Sequence, residues 1–251
     1  MRAWGDGVAL CEAVGLVRRF GGVLALQEVT LSLEPETIVA IIGPNGSGKT
    51  TLFNLLAGQV RPTAGTVFWR GRDITTWSPH RRCLAGINRT FQVARPFLDL
   101  SLAENVAVGL LYGAPGVAAR RRPDALEHAR ALLEEVGLEA KAAATARTLS
   151  LGELKRLELA MAQSTRPDLL LVDEVLAGQS PSSAEDILRH LGRLRSRGVT
   201  ICLVEHRLKA LLAVADRVVA LHQGRIIADG EPEVVMKSPA VLDAYLGEPA
   251  A

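Results

Sequence analysis

The sequence has little excess charge of either sign. Lysine and arginine total 29 residues against 27 aspartates and glutamates, which leaves a net charge of +2. Such a balance does not produce the basic face of a nucleic-acid-binding protein, so we predict no nucleic-acid partner. The densest basic run, Arg120–Arg122, precedes Pro123, and we interpret it as a solvated loop rather than a phosphate-binding patch.

Cysteine and long apolar runs are also scarce. The three cysteines share no metal-ligand spacing, which favours a reducing compartment over a disulfide framework. No apolar run approaches the roughly 18 residues of a membrane span. The opening residues, MRAWGDGVAL, lack the apolar stretch of a secretory signal. We therefore expect a chain that does not cross a membrane itself but can act at one through a partner.

Hydrophobic residues make up 48% of the 251 residues, which is typical of a packed globular protein. Short apolar runs predict buried strands at Thr37–Ile42, Leu169–Val172, Val199–Val204 and Arg217–Leu221. Helical patterns at Ser182–Ser196 and Arg207–Ala215 separate the last three. Because strands and helices alternate, an α/β core with a parallel sheet is expected.

Two regions depart from this alternation. The first third of the chain reads as strands joined by short turns, which predicts an antiparallel β region, and a further hairpin is predicted to turn at Gln223 and Gly224. The middle is rich in alanine and predicts helices at Leu102–Tyr112, Asp124–Val136 and Leu151–Ser164. We predict one domain, in which a helical subdomain, residues 94–166, is inserted into a core formed by residues 1–93 and 167–251.

The stretch GPNGSGKT, Gly43 to Thr50, fits the phosphate-loop pattern G-x-x-x-x-G-K-[ST] between an apolar strand and a helix. Glycines let backbone N–H groups point at phosphates, and the positive end of the next helix adds to their attraction. Lys49 is expected to reach the β- and γ-phosphates, and the Thr50 hydroxyl to bind Mg²⁺. The nucleotide-binding residues predicted here are Gly43, Asn45, Gly46, Ser47, Gly48, Lys49, Thr50 and Thr51.

Two later segments add candidate catalytic groups. The stretch LLLVDE ends a buried strand with Asp173 and Glu174, of which the first is suited to Mg²⁺ and the second to orienting the attacking water. After the next strand, VEH brings His206 to the same edge of the sheet, where it is expected to contact the γ-phosphate.

These motifs, taken in order, resemble the ATP-binding subunits of ABC transporters over essentially the whole chain. The phosphate loop is followed by Gln92 in RTFQ, by LSLGE at residues 149–153, by LLLVDE and by the histidine of VEH. The resemblance implies an ABC-type P-loop ATPase that binds ATP and Mg²⁺ and hydrolyses ATP. Each motif alone is modest support, whereas five in the family's order are specific.

The resemblance also implies roles for matching positions. Phe20 matches the aromatic residue that stacks on adenine. Gln92 matches the glutamine that joins Mg²⁺ and the attacking water to the membrane partner, so it is both a metal ligand and a catalytic candidate. Ser150, Gly152 and Glu153 match the signature that closes over ATP bound by the opposite subunit.

Several positions depart from the family pattern. Leu151 replaces the middle glycine of the signature, and Glu153 replaces its glutamine. Val175 stands where proline usually follows the catalytic glutamate, and Ser180 where aspartate or asparagine usually lies. These changes bear on the rate of hydrolysis, and they leave open a partner cassette that hydrolyses ATP weakly.

Among the branches of the family, GINRTFQ and LHQGRIIADGEPEVV resemble the ATP-binding subunits of branched-chain amino-acid importers, with relatives for amides and urea. The ATPase of lipopolysaccharide export is similar enough to remain an alternative. Chromosome and DNA-repair ABC proteins carry a very long coiled coil, and no sustained heptads are present here. Translation-associated members carry two cassettes in one chain, whereas one phosphate loop occurs here.

The resemblance implies an assembly at the cytoplasmic face of the cell membrane. One phosphate loop and one signature predict that two cassettes pair head to tail, with the second either identical or paralogous. Transmembrane permease subunits would receive the motion through Gln92 and the following segment, Val93–Asn105. A substrate-binding protein would be an indirect partner.

Overall fold

The computed structural model describes residues 9–90, 96–113, 122–205 and 207–246. In chain order the strands are β1 (Cys11–Phe20), β2 (Val23–Leu33), β3 (Ile38–Ile42), β4 (Ala64–Trp69), β5 (Arg72–Asp73), β6 (Ile87–Arg89), β7 (Leu169–Asp173), β8 (Thr200–Val204), β9 (Arg217–His222) and β10 (Arg225–Gly230). The helices are α1 (Lys49–Leu56), α2 (Pro79–Leu84), α3 (Leu102–Tyr112), α4 (Arg122–Glu135), α5 (Leu151–Gln163), α6 (Pro181–Ser196), α7 (Leu208–Leu212), α8 (Pro232–Met236) and α9 (Pro239–Leu246).

The chain forms two compact units. The first contains the described residues up to Pro79 together with those from Cys202 onward, and the second runs from His80 to Ile201. The boundary therefore falls inside β8.

In the first unit, an antiparallel sheet follows the order β2-β1-β4-β5. Strands β1 and β2 pair from Cys11 opposite Leu33 to Phe20 opposite Val23, with register shifts along the pair. Leu16 of β1 and Leu26 of β2 are fully buried. Such burial is expected where side chains alternate along the strands and one face of the sheet is covered. The antiparallel β region predicted for the first third of the chain is confirmed.

The same unit contains β3, β9 and β10. Strand β3 pairs in parallel with β9, and β9 pairs antiparallel with β10. Every residue of β3 is buried, which is the pattern of a strand covered on both faces. The predicted hairpin is confirmed, since Gln223 and Gly224 both have positive φ, 45° and 76°, as a two-residue type I′ turn requires.

In the second unit, β6 pairs in parallel with β7, with Ile87 opposite Leu169. Helix α3 has the predicted bounds, and it begins with a capping box in which Ser101 and Glu104 exchange hydrogen bonds. Helix α4 begins at Arg122 rather than Asp124, so this arginine lies in a helix and not in the predicted loop. Pro123 explains the difference, because proline is favoured in the first turn of a helix.

Other elements differ from prediction in length or were not predicted. Helix α7 covers Leu208–Leu212 instead of Arg207–Ala215. The short elements α2, β5, β6, α8 and α9 have no distinct apolar periodicity, and α2, α8 and α9 each begin with a proline. The parallel α/β character of the fold is confirmed nonetheless.

Candidate functional site

The predicted phosphate loop connects β3 to α1, and its backbone requires glycine at two positions. Gly43 has φ of 148°, and a Cβ added there would lie 2.0 Å from the carbonyl oxygen of Leu221. Gly48 has φ of 108°, and an added Cβ would lie 2.7 Å from Leu26. Any larger residue at either position would clash, so the loop can only take this course with glycine.

Lys49 is the first residue of α1, and its ammonium group lies inside the loop. Its Nζ donates to the carbonyl oxygens of Gly43 at 2.6 Å and Pro44 at 2.8 Å, and the residue is only 7% exposed. Thr50, next in the helix, is exposed. A buried cation, a helix N-terminus and an accessible hydroxyl are the groups that hold phosphate and its metal ion.

The turn between β9 and β10 supports the loop from behind. The Gly224 amide donates to the Ser47 carbonyl at 2.9 Å, and the Gln27 amide donates to the Gly224 carbonyl at 2.8 Å. The Gln27 side chain also donates to the Gln223 carbonyl at 2.8 Å. Backbone hydrogen bonds thus join the phosphate loop to the turn between β9 and β10, and join this turn to β2.

Asp173, the last residue of β7, has a buried partner that sequence reasoning missed. Arg89 of β6 donates from Nη2 to Asp173 Oδ2 at 3.0 Å, with side-chain exposures of 7% and 2%. Thr90 contributes through its hydroxyl, which accepts from the Asp173 amide at 2.9 Å, and its carbonyl, which accepts from Arg89 Nε at 2.9 Å. Burial lowers the pKa of Arg89, while the nearby carboxylates of Asp173 and Glu158 oppose this change.

Glu174 leaves the strand in a rare conformation. Its φ is 50°, and non-glycine residues with positive φ are uncommon and cluster at functional positions. The residues that follow, Val175 and Leu176, are buried. This packing holds the half-buried Glu174 in the turn.

The predicted signature begins α5. Ser150 is its N-cap and forms a capping box with Glu153. A hydrogen bond from Lys141, followed by bonds from the Ser150 amide and hydroxyl, lowers the pKa of Glu153 to about 2, so the carboxylate is ionised at neutral pH. Its oxygens are therefore committed to the helix start and to Lys141.

Gly152 and Leu151 have contrasting surroundings. The Gly152 carbonyl accepts from Gln179 Nε2 at 2.7 Å, and an added Cβ would lie 2.9 Å from the carbonyl oxygen of Gly178. Leu151, at the position of the missing glycine, is 57% exposed. Leu151 thus presents an apolar side chain at the surface of the signature.

Phe20 and Ser180 lie at the ends of their elements. Phe20 ends β1, is 43% exposed, and has the guanidinium of Arg18 4.3 Å from its ring centre. Its exposed face is compatible with stacking and does not fit a core residue. Ser180 caps α6 by accepting from the Ser183 amide at 3.2 Å, which is the local hydrogen bond an aspartate would also make.

The predicted site residues divide between the two units. Phe20 and the phosphate-loop residues belong to the first, and Ser150, Gly152, Glu153, Asp173 and Glu174 belong to the second. Direct hydrogen bonds join Lys49 to Gly43 and Ser150 to Glu153. Gln92 and His206, with the segment Val93–Arg95, lie outside the described residues.

Comparison with known proteins gives consistent matches. Residues 26–177 match the family model described as ABC transporter, and residues 225–251 match the model described as branched-chain amino acid ATP-binding cassette transporter. The high-affinity branched-chain amino acid transport ATP-binding protein BraF of Pseudomonas aeruginosa is 40% identical over 95% of this chain and 98% of its own length. LivG of Escherichia coli K12, named for the same transport, is 38% identical over the same shares.

Solved structures agree in fold. A nucleotide-free ATP-binding cassette from an ABC transporter superposes with a TM-score of 0.84 at 32% identity, covering 96% of this chain and all (100%) of that one. The ADP conformation of MJ1267, an ATP-binding cassette of an ABC transporter, gives 0.85 at 32% identity and the same coverage. The chain belongs to the nucleotide-binding ABC transporter ATPases, as the order of its motifs predicted.

Proposed function

We propose that this ABC ATPase powers the import of branched-chain amino acids or of related amides and urea. The observation that carries the substrate class is the match of the C-terminal residues 225–251 to the branched-chain family model, supported by the transport named for BraF and LivG. The general ABC match ends at residue 177, so the two matches cover separate parts of the chain.

The site residues are proposed to act on MgATP as follows. Lys49 and the loop amides hold the phosphates, Thr50 and Asp173 hold Mg²⁺ together with Gln92, and Glu174 orients the attacking water. Hydroxyl and carboxylate oxygens are the ligands that Mg²⁺ prefers, and Asp173 is fixed by Thr90 and Arg89. When bound, Mg²⁺ would neutralise charge on the phosphates.

The remaining predicted residues have roles around the nucleotide. Phe20 would stack on adenine, and its exposed ring supports this. His206 would contact the γ-phosphate. Ser150, Gly152 and Glu153 would close over ATP held by a second cassette, and residues 94–166 would move with them as the helical subdomain.

Partner proteins are needed to turn hydrolysis into transport. In the part of the chain that the structure describes, no helix has the length and apolar character needed to span a bilayer. We propose a peripheral position at the cytoplasmic face of the membrane, with two permease subunits, a second cassette, identical or paralogous, and indirectly a substrate-binding protein.

Phe97 and Leu98 are proposed as the permease contact. Their side chains are 52% and 44% exposed, although the backbone of Phe97 is fixed. The Phe97 amide donates to Asn105 Oδ1 at 2.7 Å, and Asn105 Nδ2 donates to the Phe97 carbonyl at 3.0 Å. An exposed apolar pair, with the backbone of Phe97 held by Asn105, is suited to seating a short partner helix.

Reconstitution with permease subunits and a substrate-binding protein of the branched-chain amino-acid type from the same organism tests the proposal. Vesicles loaded with ATP should take up labelled leucine and isoleucine at rates that depend on ATP. Uptake of an amide or urea instead would refine the substrate class. ATP hydrolysis without uptake of any of these would contradict import, and hydrolysis stimulated by lipopolysaccharide would favour the export alternative.

A further inference from the structure

The C-terminal helix α9 reaches the phosphate loop. The hydroxyl of Tyr245 accepts a hydrogen bond from the Gly43 amide at 2.8 Å, across 202 residues of sequence. Both residues belong to the first unit. Tyr245 is partly buried and Gly43 is buried, so the bond is shielded from the water that would otherwise compete for the amide.

Gly43 is fixed at its carbonyl, at its Cα and at its amide. Its carbonyl accepts from Lys49 at 2.6 Å, and its Cα lies against the backbone of Leu221, as the 2.0 Å approach of an added Cβ shows. Tyr245 supplies the acceptor for its amide. A buried amide that loses its acceptor is costly, so without the hydroxyl the start of the loop would move to find another.

Helix α9 is itself anchored beside the loop. Val241 and Ala244 are 1% and 8% exposed, which fixes the helix face next to Tyr245. Asp243 and Ala244 also line a cavity of about 390 Å³ together with loop residues Pro44, Asn45, Gly46 and Ser47. The helix therefore flanks the loop along several residues and does not touch it at a single atom.

We propose that Tyr245 is a positioning residue for nucleotide binding, acting through Gly43 to hold the phosphate loop in its binding conformation. The hydroxyl does not need to touch the nucleotide. Apparent affinity falls in proportion to the fraction of molecules whose loop is correctly arranged, so loosening Gly43 weakens binding of ATP and ADP alike. The residue lies in the segment matched by the branched-chain family model and beyond the general ABC match.

The test uses the purified full chain with Tyr245→Phe, which keeps the ring and removes only the hydroxyl. Titration with a fluorescent methylanthraniloyl-ADP should give a Kd raised about fivefold, the effect of one neutral hydrogen bond. The chain contains two tyrosines, and the other, Tyr112, is 78% exposed. Tyr112→Phe removes the same atom from the surface and should leave the Kd unchanged.

Steady-state kinetics distinguishes positioning from a general structural role. Tyr245→Phe should raise the KM for ATP with little change in kcat, and the melting temperature without nucleotide should fall by no more than about 2–4 °C, the shift expected from the loss of one hydrogen bond in a chain of this size. An unchanged Kd, an equal loss in Tyr112→Phe, or a fall in kcat at constant KM would overturn the proposal.

A second measurement needs no variant of Tyr245. In the chain labelled with fluorotyrosine, the two ¹⁹F resonances can be assigned with Tyr112→Phe. Adding ADP should shift the Tyr245 resonance, because the nucleotide and the hydroxyl share the same loop, and should leave that of Tyr112 in place. A Tyr245 resonance indifferent to saturating ADP would contradict the proposal even if the variant proved unstable.

Discussion

At the scale of single residues, Glu174 combines a reactive group with an unusual backbone. Its φ of 50° is a conformation that costs about 1–3 kcal/mol in a non-glycine residue, and the buried Val175 and Leu176 hold the turn in place. The strain therefore has a structural reason to persist.

Glu174→Gln should retain nucleotide binding while ATP hydrolysis falls by about 10²–10⁴-fold, the usual contribution of a positioned general base. The amide is nearly isosteric but cannot orient and deprotonate water as a carboxylate does. Phosphate release reports the rate, and size-exclusion chromatography with ATP should show a trapped dimer. Glu185→Gln, an exposed acid on α6, serves as control, and hydrolysis near the parent rate in Glu174→Gln would remove this residue from the mechanism.

At the scale of elements, strands β6 and β7 are joined by a buried ion pair. Arg89 and Asp173 are almost inaccessible to water, so removing one partner leaves a buried charge uncompensated. Arg89→Ala should therefore lower the free energy of unfolding by about 3–5 kcal/mol.

Urea unfolding of the apo chain measures this change. The matched control is Arg147→Ala, because Arg147 pairs with Asp99 at the surface with exposures of 61% and 82%, where a pair contributes about 0–1 kcal/mol. If both variants lose the same stability, Arg89 is not a structural counter-ion. Arg89→Lys should recover part of the loss, since it restores charge without the fork geometry.

Helix α6 carries a buried histidine that makes stability depend on pH. Burial lowers the pKa of His190 to about 4; Glu135 opposes this, and Arg193 and Arg197 add to it. His190 Nε2 lies 3.0 Å from Gln163 Oε1. The unfolded chain binds the proton more readily, so the stabilising contribution is complete above about pH 6.5 and is lost as pH falls toward 4.

Between pH 6.5 and pH 4.5, the free energy of unfolding should fall by about 1–3 kcal/mol less in His190→Asn than in the parent. Chemical unfolding at a series of pH values tests this. The exposed His128 on α4 provides the control, because His128→Asn should leave the slope unaltered. A parallel decline in the parent and His190→Asn would show that another group governs acid sensitivity.

Elements with local signals were predicted closely, and those without them were not. Helix α3 was predicted to the residue because its apolar periodicity and capping box are local features. Strand β6, INR, is short and polar, so it has no strand pattern of its own and exists because β7 pairs with it. The phosphate loop was readable for the same reason as α3, whereas Arg89 and Tyr245 act on partners 84 and 202 residues away and no spacing rule connects them.

At the scale of the whole molecule, the proposed permease contact at Phe97 can be tested by mutation. Phe97→Ala should leave hydrolysis by the isolated chain within about twofold of the parent, because the buried Asn105 holds the backbone at this position and the side chain is half exposed. In reconstituted vesicles, the same variant should lose most ATP-dependent uptake.

The control is Val234→Ala, which shortens another exposed apolar side chain, 64% exposed on α8. It should leave both activities intact. A drop in melting temperature together with loss of hydrolysis in Phe97→Ala would show that Phe97 supports the fold, and the permease contact would then lie elsewhere.

The contacts between the phosphate loop and the turn that joins β9 to β10 have a consequence for synthesis on the ribosome. The loop residues Gly43 and Ser47 are synthesised early. The residues that contact them, Leu221 and Gly224, are synthesised close to the end of translation. Domains otherwise tend to fold from the N-terminus as they are made. A nascent chain arrested before Gly224 has left the exit tunnel should therefore contain the complete motif and still fail to retain ATP. Nucleotide binding would then be one of the last steps of co-translational folding.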